Sequence, residues 1–387
     1  MARRKIKFGL IGGGLMGREF ASAAARWKHL DGLDVEPEII AVCDPKQSAL
    51  NWFTESTPSI RLATADYRAV LDDPEVEAVY IAVQHNLHQA MYVDAIQAGK
   101  HLLAEKPFGI DQAANDAIMM AGEAHPNVFV RCSSEFPYFP GAYRMAQWMR
   151  ENRFGRIIEV EAGFWQSSDL DPNKPINWKR RIATCGEYGC MGDLGMHVVH
   201  LPFRASWFPA NVRALLSKIV EDRPDNAGNR VACETWDNAI LACEVVNGGE
   251  RFPMTLSMKR IAPGNANTWF IRVMGTAISA EFSTQNPKRF TYMPFSPGAE
   301  QEWHSLDIPY KSAYPVITGQ IFEFGFSDAI LQMWASFCDE LVHGRDGMRQ
   351  PLYCATPQEA ALSHRLFSAA LLSNRETQVI QFEEGSR

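Results

Sequence analysis

The chain has 387 residues, which at about 150 residues per domain points to two domains. A folded surface of about 15,000 Å² against about 63,000 Å² unfolded buries roughly three quarters of the surface, without help from disulfides or a structural metal. Hydrophobic residues make up 46% and charged residues 21%, which excludes a disordered chain. The net charge of −7 excludes a broad nucleic-acid or anionic-membrane surface. No run of 18 apolar residues exists, so no transmembrane helix is expected. The basic start Met1–Lys5 leads into an apolar stretch that Gly12, Gly13, Gly14 and Gly17 break, with no small-residue cleavage site after it. Eight scattered cysteines suit reduced thiols. The expected location is the cytoplasm.

The first third alternates strand and helix. Lys5–Ile11 reads as a buried strand ending in glycines, and Leu15–Trp27 as an alanine-rich helix. Strand Glu38–Cys43, helix Gln47–Glu55 and strand Val76–Val83 follow. Helix Leu87–Ala98, strand His101–Ala104, helix Asp111–Ala124 and strand Val128–Cys132 close the series. This alternation implies βαβ units, hence a doubly wound parallel sheet of Rossmann type. Period-two patterns then take over. Ile158, Val160, Ala162 and Phe164 share one face of Arg156–Phe164, and Phe252, Met254, Leu256 and Met258 share one face of Phe252–Lys259. Trp236–Val246, Trp269–Gly275 and Ala277–Ser283 add strands, and Phe326–His343 and Thr356–Asn374 read as helices. Ser133, Ser134, Pro137 and Pro140 place the boundary, giving an α/β chain with domains 1–132 and 133–387.

Gly12-Gly13-Gly14-Leu15-Met16-Gly17 fits G-x-G-x-x-G, and its place between a strand and a helix is what gives the motif weight. Gly12 serves the tight turn, Gly14 the close approach of a pyrophosphate, and Gly17 the packing of helix on strand. The helix N-terminus at Leu15 and Met16 offers free N–H groups to phosphates. Asp44, at the end of the second strand, suits a ribose 2′-hydroxyl and repels a 2′-phosphate. NAD is therefore the expected cofactor and NADP is disfavoured. Asp44 lies 27 residues past Gly17, and the loop Lys28–Glu36 absorbs the extra length.

Two further motifs carry chemistry. Glu105-Lys106-Pro107 follows a strand at the carboxyl edge of the sheet, where ligands bind. Gly192-Asp193-Leu194-Gly195-Met196-His197 puts Asp193 and His197 at i and i+4 on one helix face. Oxidising a hydroxyl needs a base for the proton, a task that suits histidine, and a cation to stabilise the developing alkoxide, a task that suits lysine.

With the glycine fingerprint, the E-K-P triplet and the D-x-G-x-H segment in this order, the chain resembles the Gfo/Idh/MocA family of pyranose and inositol dehydrogenases. The resemblance spans nearly the whole length. It implies a second domain with a large, mainly antiparallel open sheet, and a homodimer or homotetramer formed through that sheet. It also implies Lys106 as the catalytic lysine, Asp193 as the substrate-orienting carboxylate and His197 as the proton acceptor. Glu105, and His85 and His88 in the segment Gln84-His85-Asn86-Leu87-His88, would join the cofactor contacts. Glu187-Tyr188-Gly189 depart from the glycines that the family often has ahead of its aspartate.

The substrate is less legible. Trp165, Trp178 and Trp269 fall near expected pocket-lining segments and suit sugar C–H groups, although any one tryptophan is more often core. Lys179 and Arg180, in a run with Arg181, could hold an anionic group on a sugar or form a solvated basic run. His200, three residues after His197, is structural or substrate-binding. Cys185, Cys190, His197 and His200 imitate a zinc ligand set, but the dehydrogenase motif claims His197 and no metal is assigned. The expected activity is NAD-dependent oxidation of a secondary hydroxyl of a sugar, glycoside or cyclitol. The alternative is an NAD-dependent glycoside hydrolase acting by transient C3 oxidation and elimination, possible on an anionic (sulfonated or uronic) sugar. A non-catalytic NAD sensor is disfavoured by the joint presence of Lys106, Asp193 and His197.

Overall fold

The computed structural model describes residues 3–308, 312–319 and 321–382. The chain divides into two compact units. The first comprises Met1–Gly109, Ala113–Tyr138 and Ser312–Pro357, and the second comprises Ile110–Gln112, Phe139–Lys311 and Gln358–Arg387. This corrects the expected single boundary at 132/133, because a late segment rejoins the first unit.

In the first unit, strands β1 (Arg4–Ile11), β2 (Val35–Cys43), β3 (Leu62–Thr64), β4 (Ala78–Ile81), β5 (His101–Ala104) and β6 (Val130–Cys132) form a sheet of order β3-β2-β1-β4-β5-β6. Every pair is parallel. Helices α1 (Leu15–Ala25), α2 (Gln47–Ser56), α3 (Tyr67–Leu71), α4 (His88–Gln97) and α5 (Gln112–Ala124) make the crossovers. The strands read as unbroken apolar runs because helices cover a parallel sheet, and all of β4 is buried. The order reverses between β1 and β4, and at such a switch point the carboxyl ends of the strands part to leave a crevice. β3 and α3 span only three and five residues, too few for a period to show in the sequence.

The second unit opens with α6 (Pro140–Arg150), whose Pro140 sits at the helix start where no amide partner is lost. After β7 (Ile157–Gln166) come α7 (Ile182–Cys185) and α8 (Cys190–Arg204). Next are β8 (Pro209–Ser217), a separate hairpin of β9 (Asp222–Pro224) and β10 (Arg230–Ala232), β11 (Asn238–Asn247) and β12 (Glu250–Lys259). β13 (Asn267–Gly275), β14 (Ile278–Ser283), β15 (Arg289–Pro294) and β16 (His304–Asp307) follow. The chain then returns to the first unit through α9 (Phe326–His343), and α10 (Pro357–Glu376) and β17 (Ile380–Gln381) complete the second. The nine-stranded sheet runs β16-β15-β14-β13-β7-β12-β11-β8-β17. Only β7 and β12 pair in parallel; the other pairs are antiparallel.

Helix α8 lies on one face of this sheet, against β7, β11 and β12. Val160, Ala162 and Phe164 are buried as their alternation requires, as are Phe252, Met254, Leu256 and Met258. Ile158 departs from the expected face and is 54% exposed. The pairing slips from Met274–Glu159 to Gly275–Ile157, leaving Ile158 as a bulge residue outside the alternation. In the first unit, Trp334 of α9 stacks on Phe20 at 3.7 Å and meets Phe8 and Tyr80 edge-on. That aromatic cluster holds the late helix in the first unit.

Candidate active site

The glycine motif is shaped by close approach. Gly12 has φ +104°, and a Cβ there would stand 2.2 Å from the carbonyl oxygen of Ala82, beyond β4. A Cβ on Gly17 would stand 2.3 Å from the carbonyl oxygen of Gly12. Both positions require glycine, and together they draw α1 onto the turn. Gly14 differs, because a Cβ there would face open space within 4 Å. It is the residue before α1, and no side chain caps the helix. The amides of Leu15 and Met16 thus begin a helix whose N-terminal end is accessible to an anion. These residues fit the pyrophosphate of a dinucleotide. The Asp44 carboxylate accepts hydrogen bonds from the amides of Gly13 at 2.9 Å and Lys46 at 2.8 Å. Asp44 therefore braces the glycine turn as well as standing at the end of β2, where a ribose is expected.

The loops after β4, β5 and β6 form one buried network. The ring nitrogens of His88 lie 2.7 Å from the carbonyl oxygen of Pro107 and 3.1 Å from that of Val83, so this histidine ties the β4 loop to the β5 loop. Burial pushes its pKa down to about 4, against the carbonyl contacts, so the ring is neutral near pH 7. His85 is buried beside it, with ring centres 5.4 Å apart. The Glu105 carboxylate accepts from Tyr80 Oη and Ser133 Oγ, both at 2.6 Å, and Tyr92 Oη donates to the Glu105 carbonyl at 2.8 Å. Lys106 is half-buried directly after Glu105. Glu135, which the sequence reading did not single out, is buried near both. Burial and then the charge of Glu105 push its carboxyl up to about 7, while a backbone hydrogen bond and then Lys106 pull the other way. The signal available in the sequence was its place three residues past the carboxyl end of β6, on the same edge as Lys106.

In the second unit the D-x-G-x-H motif lies on α8, buried all round from Cys190 to Phe203. Gly195 lets α10 approach, since a Cβ there would stand 2.3 Å from Phe367 Cζ. Polar groups in such a helix need partners. Asp193 accepts from Lys179 Nζ at 2.8 and 3.1 Å and from Arg260 Nη1 in a short contact. Arg260 also donates to Asp169 at 2.7 Å. Arg180 is buried and pairs with Asp169 at 3.0 Å and Asp237 at 2.6 Å. Its guanidinium is therefore committed to internal carboxylates, a correction to its reading as a substrate contact. Burial would raise the Asp169 carboxyl, but Arg260 and Arg180 hold it well below the usual carboxylate range. Sequence reasoning did not anticipate Arg260, Asp169 or Asp237. Their only signal was charge in segments flanking strands.

The remaining candidates separate. His197 is buried, with its ring edge-on to Phe164 at 5.7 Å and its carbonyl accepting from Trp269 Nε1 at 2.9 Å. Trp269 is thereby core. Trp178 is half-buried, with the Lys179 ammonium 5.5 Å from its ring centre. His200 lies fully inside, 4.0 Å from Glu359 of α10. Burial and the charge of Arg204 push its pKa down to about 3, so it is a neutral core histidine, a correction to the substrate-binding option. Trp165 is also corrected. It alternates with the α8-facing Phe164, and instead donates to Ser257 at 2.7 Å, lies edge-on to Phe270 and carries Lys259 over its ring. It thus faces away from α8. Burial raises the Cys185 and Cys190 thiols, which stay protonated. Among the described residues no group of three or more His, Cys, Asp or Glu could hold a metal ion, and no helix is long and apolar enough to cross a membrane.

The switch point, the glycine turn and the capless helix define the first unit as an NAD-binding Rossmann domain. Residues 6–131 match the family model GFO_IDH_MocA, described as "Oxidoreductase family, NAD-binding Rossmann fold". Residues 6–131 thus carry the NAD-binding domain of the Gfo/Idh/MocA oxidoreductase family. Levoglucosan dehydrogenase of Pseudarthrobacter phenanthrenivorans is 28% identical over 240 residues, covering 60% of this chain and 59% of that protein. The trans-1,2-dihydrobenzene-1,2-diol dehydrogenase of Sus scrofa is 26% identical over 192 residues, covering 50% of this chain and 53% of that protein. The chain thus spans between half and three fifths of the length of these two relatives. A solved levoglucosan dehydrogenase in complex with NADH superposes with a TM-score of 0.86 at 20% identity, over 98% of this chain and all of that one. An NAD-binding oxidoreductase from Klebsiella pneumoniae gives 0.85 at 22% identity, over 99% of this chain and all of that one. At these identities the superpositions show the fold.

Proposed function

We propose that this oxidoreductase oxidises a secondary hydroxyl of a sugar, glycoside or cyclitol, with NAD preferred over NADP. The observation that carries the reading is Lys106 at the carboxyl edge of a Rossmann sheet, held there beside the hydrogen-bonded Glu105. The sugar dehydrogenase among the relatives supports the substrate class. The bound dinucleotide supplies a hydride acceptor. The Lys106 ammonium donates to the substrate oxygen and stabilises it as negative charge develops. His197 takes the hydroxyl proton, so that the C–H electron pair leaves as hydride and a ketone forms. Asp193 orients the substrate through the cations it already holds, Lys179 foremost, because Lys179 is the more exposed of the two.

A panel of sugars and cyclitols with NAD and NADP, followed by absorbance of the reduced cofactor, tests this. Net accumulation of NADH with a free sugar or cyclitol is the expected result. Turnover of an aryl glycoside without added cofactor, with no net NADH from any sugar, would replace it with the redox-neutral hydrolase.

A further inference from the structure

Resting on the assignment of Lys106 above, we propose that Glu135 is the counter-charge that holds the Lys106 ammonium protonated and in place, making it a positioning residue for oxygen polarisation. Ala104 and Cys132 are register partners on adjacent parallel strands. The segments that leave them, Glu105-Lys106 and Ser133-Ser134-Glu135, therefore run side by side off one sheet edge. The Ser133 amide donates to the Ala104 carbonyl at 2.8 Å and its hydroxyl to Glu105 at 2.6 Å, which locks the two segments together. Two buried carboxyls, Glu105 and Glu135, thus share the neighbourhood of one ammonium. They are not equivalent. Glu105 takes two short hydroxyl donors, from Tyr80 and Ser133, and these spread its charge. Glu135 is 4% exposed, so its charged form needs compensation, to which a backbone hydrogen bond and the nearby Lys106 both contribute.

The other titratable groups of the network leave this role to Glu135. Tyr80, Tyr92 and Cys132 are pushed well above their ordinary ranges and stay protonated. Tyr138, which follows Glu135 in the chain, is pushed up as well. His88 stays neutral down to about pH 4. Glu135, raised to about 7, therefore changes charge between mildly acidic and mildly alkaline pH. When ionised, it favours the charged lysine; removing that charge should free the amine at lower pH.

The test is competitive labelling of the full chain with acetic anhydride across pH, reading acetylation at Lys106 by peptide mass spectrometry. Loss of a charge within about 4–6 Å shifts a partner by about one unit or more. At alkaline pH Glu135→Gln should therefore raise Lys106 labelling roughly tenfold, and Glu135→Asp should restore much of the protection. The alkaline limb of the oxidation rate should move to lower pH in the Gln variant by a matching amount. Unchanged labelling in a folded Glu135→Gln protein overturns the proposal. If neither variant folds, the unmodified protein decides. Its Lys106 labelling, plotted as log rate against pH, should bend away from unit slope near pH 7, where Glu135 ionises, and a straight line through that range overturns the proposal. Labelling needs neither substrate nor cofactor. A failure of the dehydrogenase reading would thus leave its result standing, and the reverse also holds.

Discussion

The two units each bury a charged cluster, and the clusters are built on opposite balances. In the second unit Lys174, Lys179, Arg180 and Arg260 surround Asp169, Asp193 and Asp237, so cations outnumber acids. In the first unit Glu105 and Glu135 share Lys106, so acids outnumber cations. Burial acts on both sets alike, but its outcome is opposite. Asp169 is held below the carboxylate range, and Glu135 is raised to about 7. Burial alone therefore does not decide the charge of an interior acid; the count of partners within reach does. The second cluster is saturated in that each carboxylate has at least one cation partner. The first holds a group that can change charge.

The largest effect is expected at the proton acceptor. His197→Asn should cut the oxidation rate by about 10²–10⁴ while leaving NADH binding unchanged, as read by cofactor fluorescence. Near-normal turnover would move the base elsewhere and detach α8 from the chemistry. Arg260→Ala tests saturation directly, because it leaves Asp169 and Asp193 without a shared partner. Urea unfolding should show a loss of about 3–5 kcal/mol. A loss below about 1 kcal/mol would mean that the cluster behaves as a surface one. Lys106→Ala should lower the rate by about 10²–10³, the loss of one donor to a developing oxyanion, with the cofactor still bound. A variant keeping a tenth of the activity would remove Lys106 from the mechanism.

A pH experiment separates two buried groups within the first unit. His88 has a folded pKa of about 4 against 6.5 for an ordinary histidine. The neutral form is the one the fold accepts, so its contribution is fully present above pH 6.5. It is lost as pH falls from 6.5 through 4, to the extent of about 3 kcal/mol. Urea midpoints at pH 7 and pH 4.5 should show this fall, and His88→Asn should reduce it, leaving the part that buried His200 contributes. Glu135 has the opposite sign, because its raised pKa favours the folded state at low pH and that contribution is lost as pH rises through about 7. Asp44→Ala is expected to have the smallest effect. It should weaken NAD binding by roughly tenfold, the worth of about one charge-assisted hydrogen bond, and narrow the gap to NADP. Tighter binding of NADP than NAD by the unmodified protein would show that Asp44 acts only as the brace of the glycine turn.

Much of this was legible in order along the chain. Strand β5 and helix α9 have the limits that their apolar patterns indicate, and the glycine turn lies where its motif requires. These features are local, because φ/ψ preference and hydrophobic period are written into consecutive residues. The residues of the candidate site were legible as motifs for the same reason. Which unit α9 joins was not, since Trp334 finds Phe20 across more than three hundred residues. Nor was the fate of Lys179 and Arg180, adjacent cations whose partners Asp193 and Asp237 lie 14 and 57 residues away. A basic run looks the same in sequence whether it is solvated, holds an anion or is buried in ion pairs. Alternation already separated Trp165 from Phe164, but only the position of α8 showed which face it covers. The sequence by itself determined the parallel first sheet, the phosphate turn and the motifs that hold the candidate site residues, because each rests on spacing within one element. The tertiary structure decided which of those side chains are already spent on partners and which buried acid keeps a labile proton. Charge compensation is set by distances between elements, and no local pattern records it.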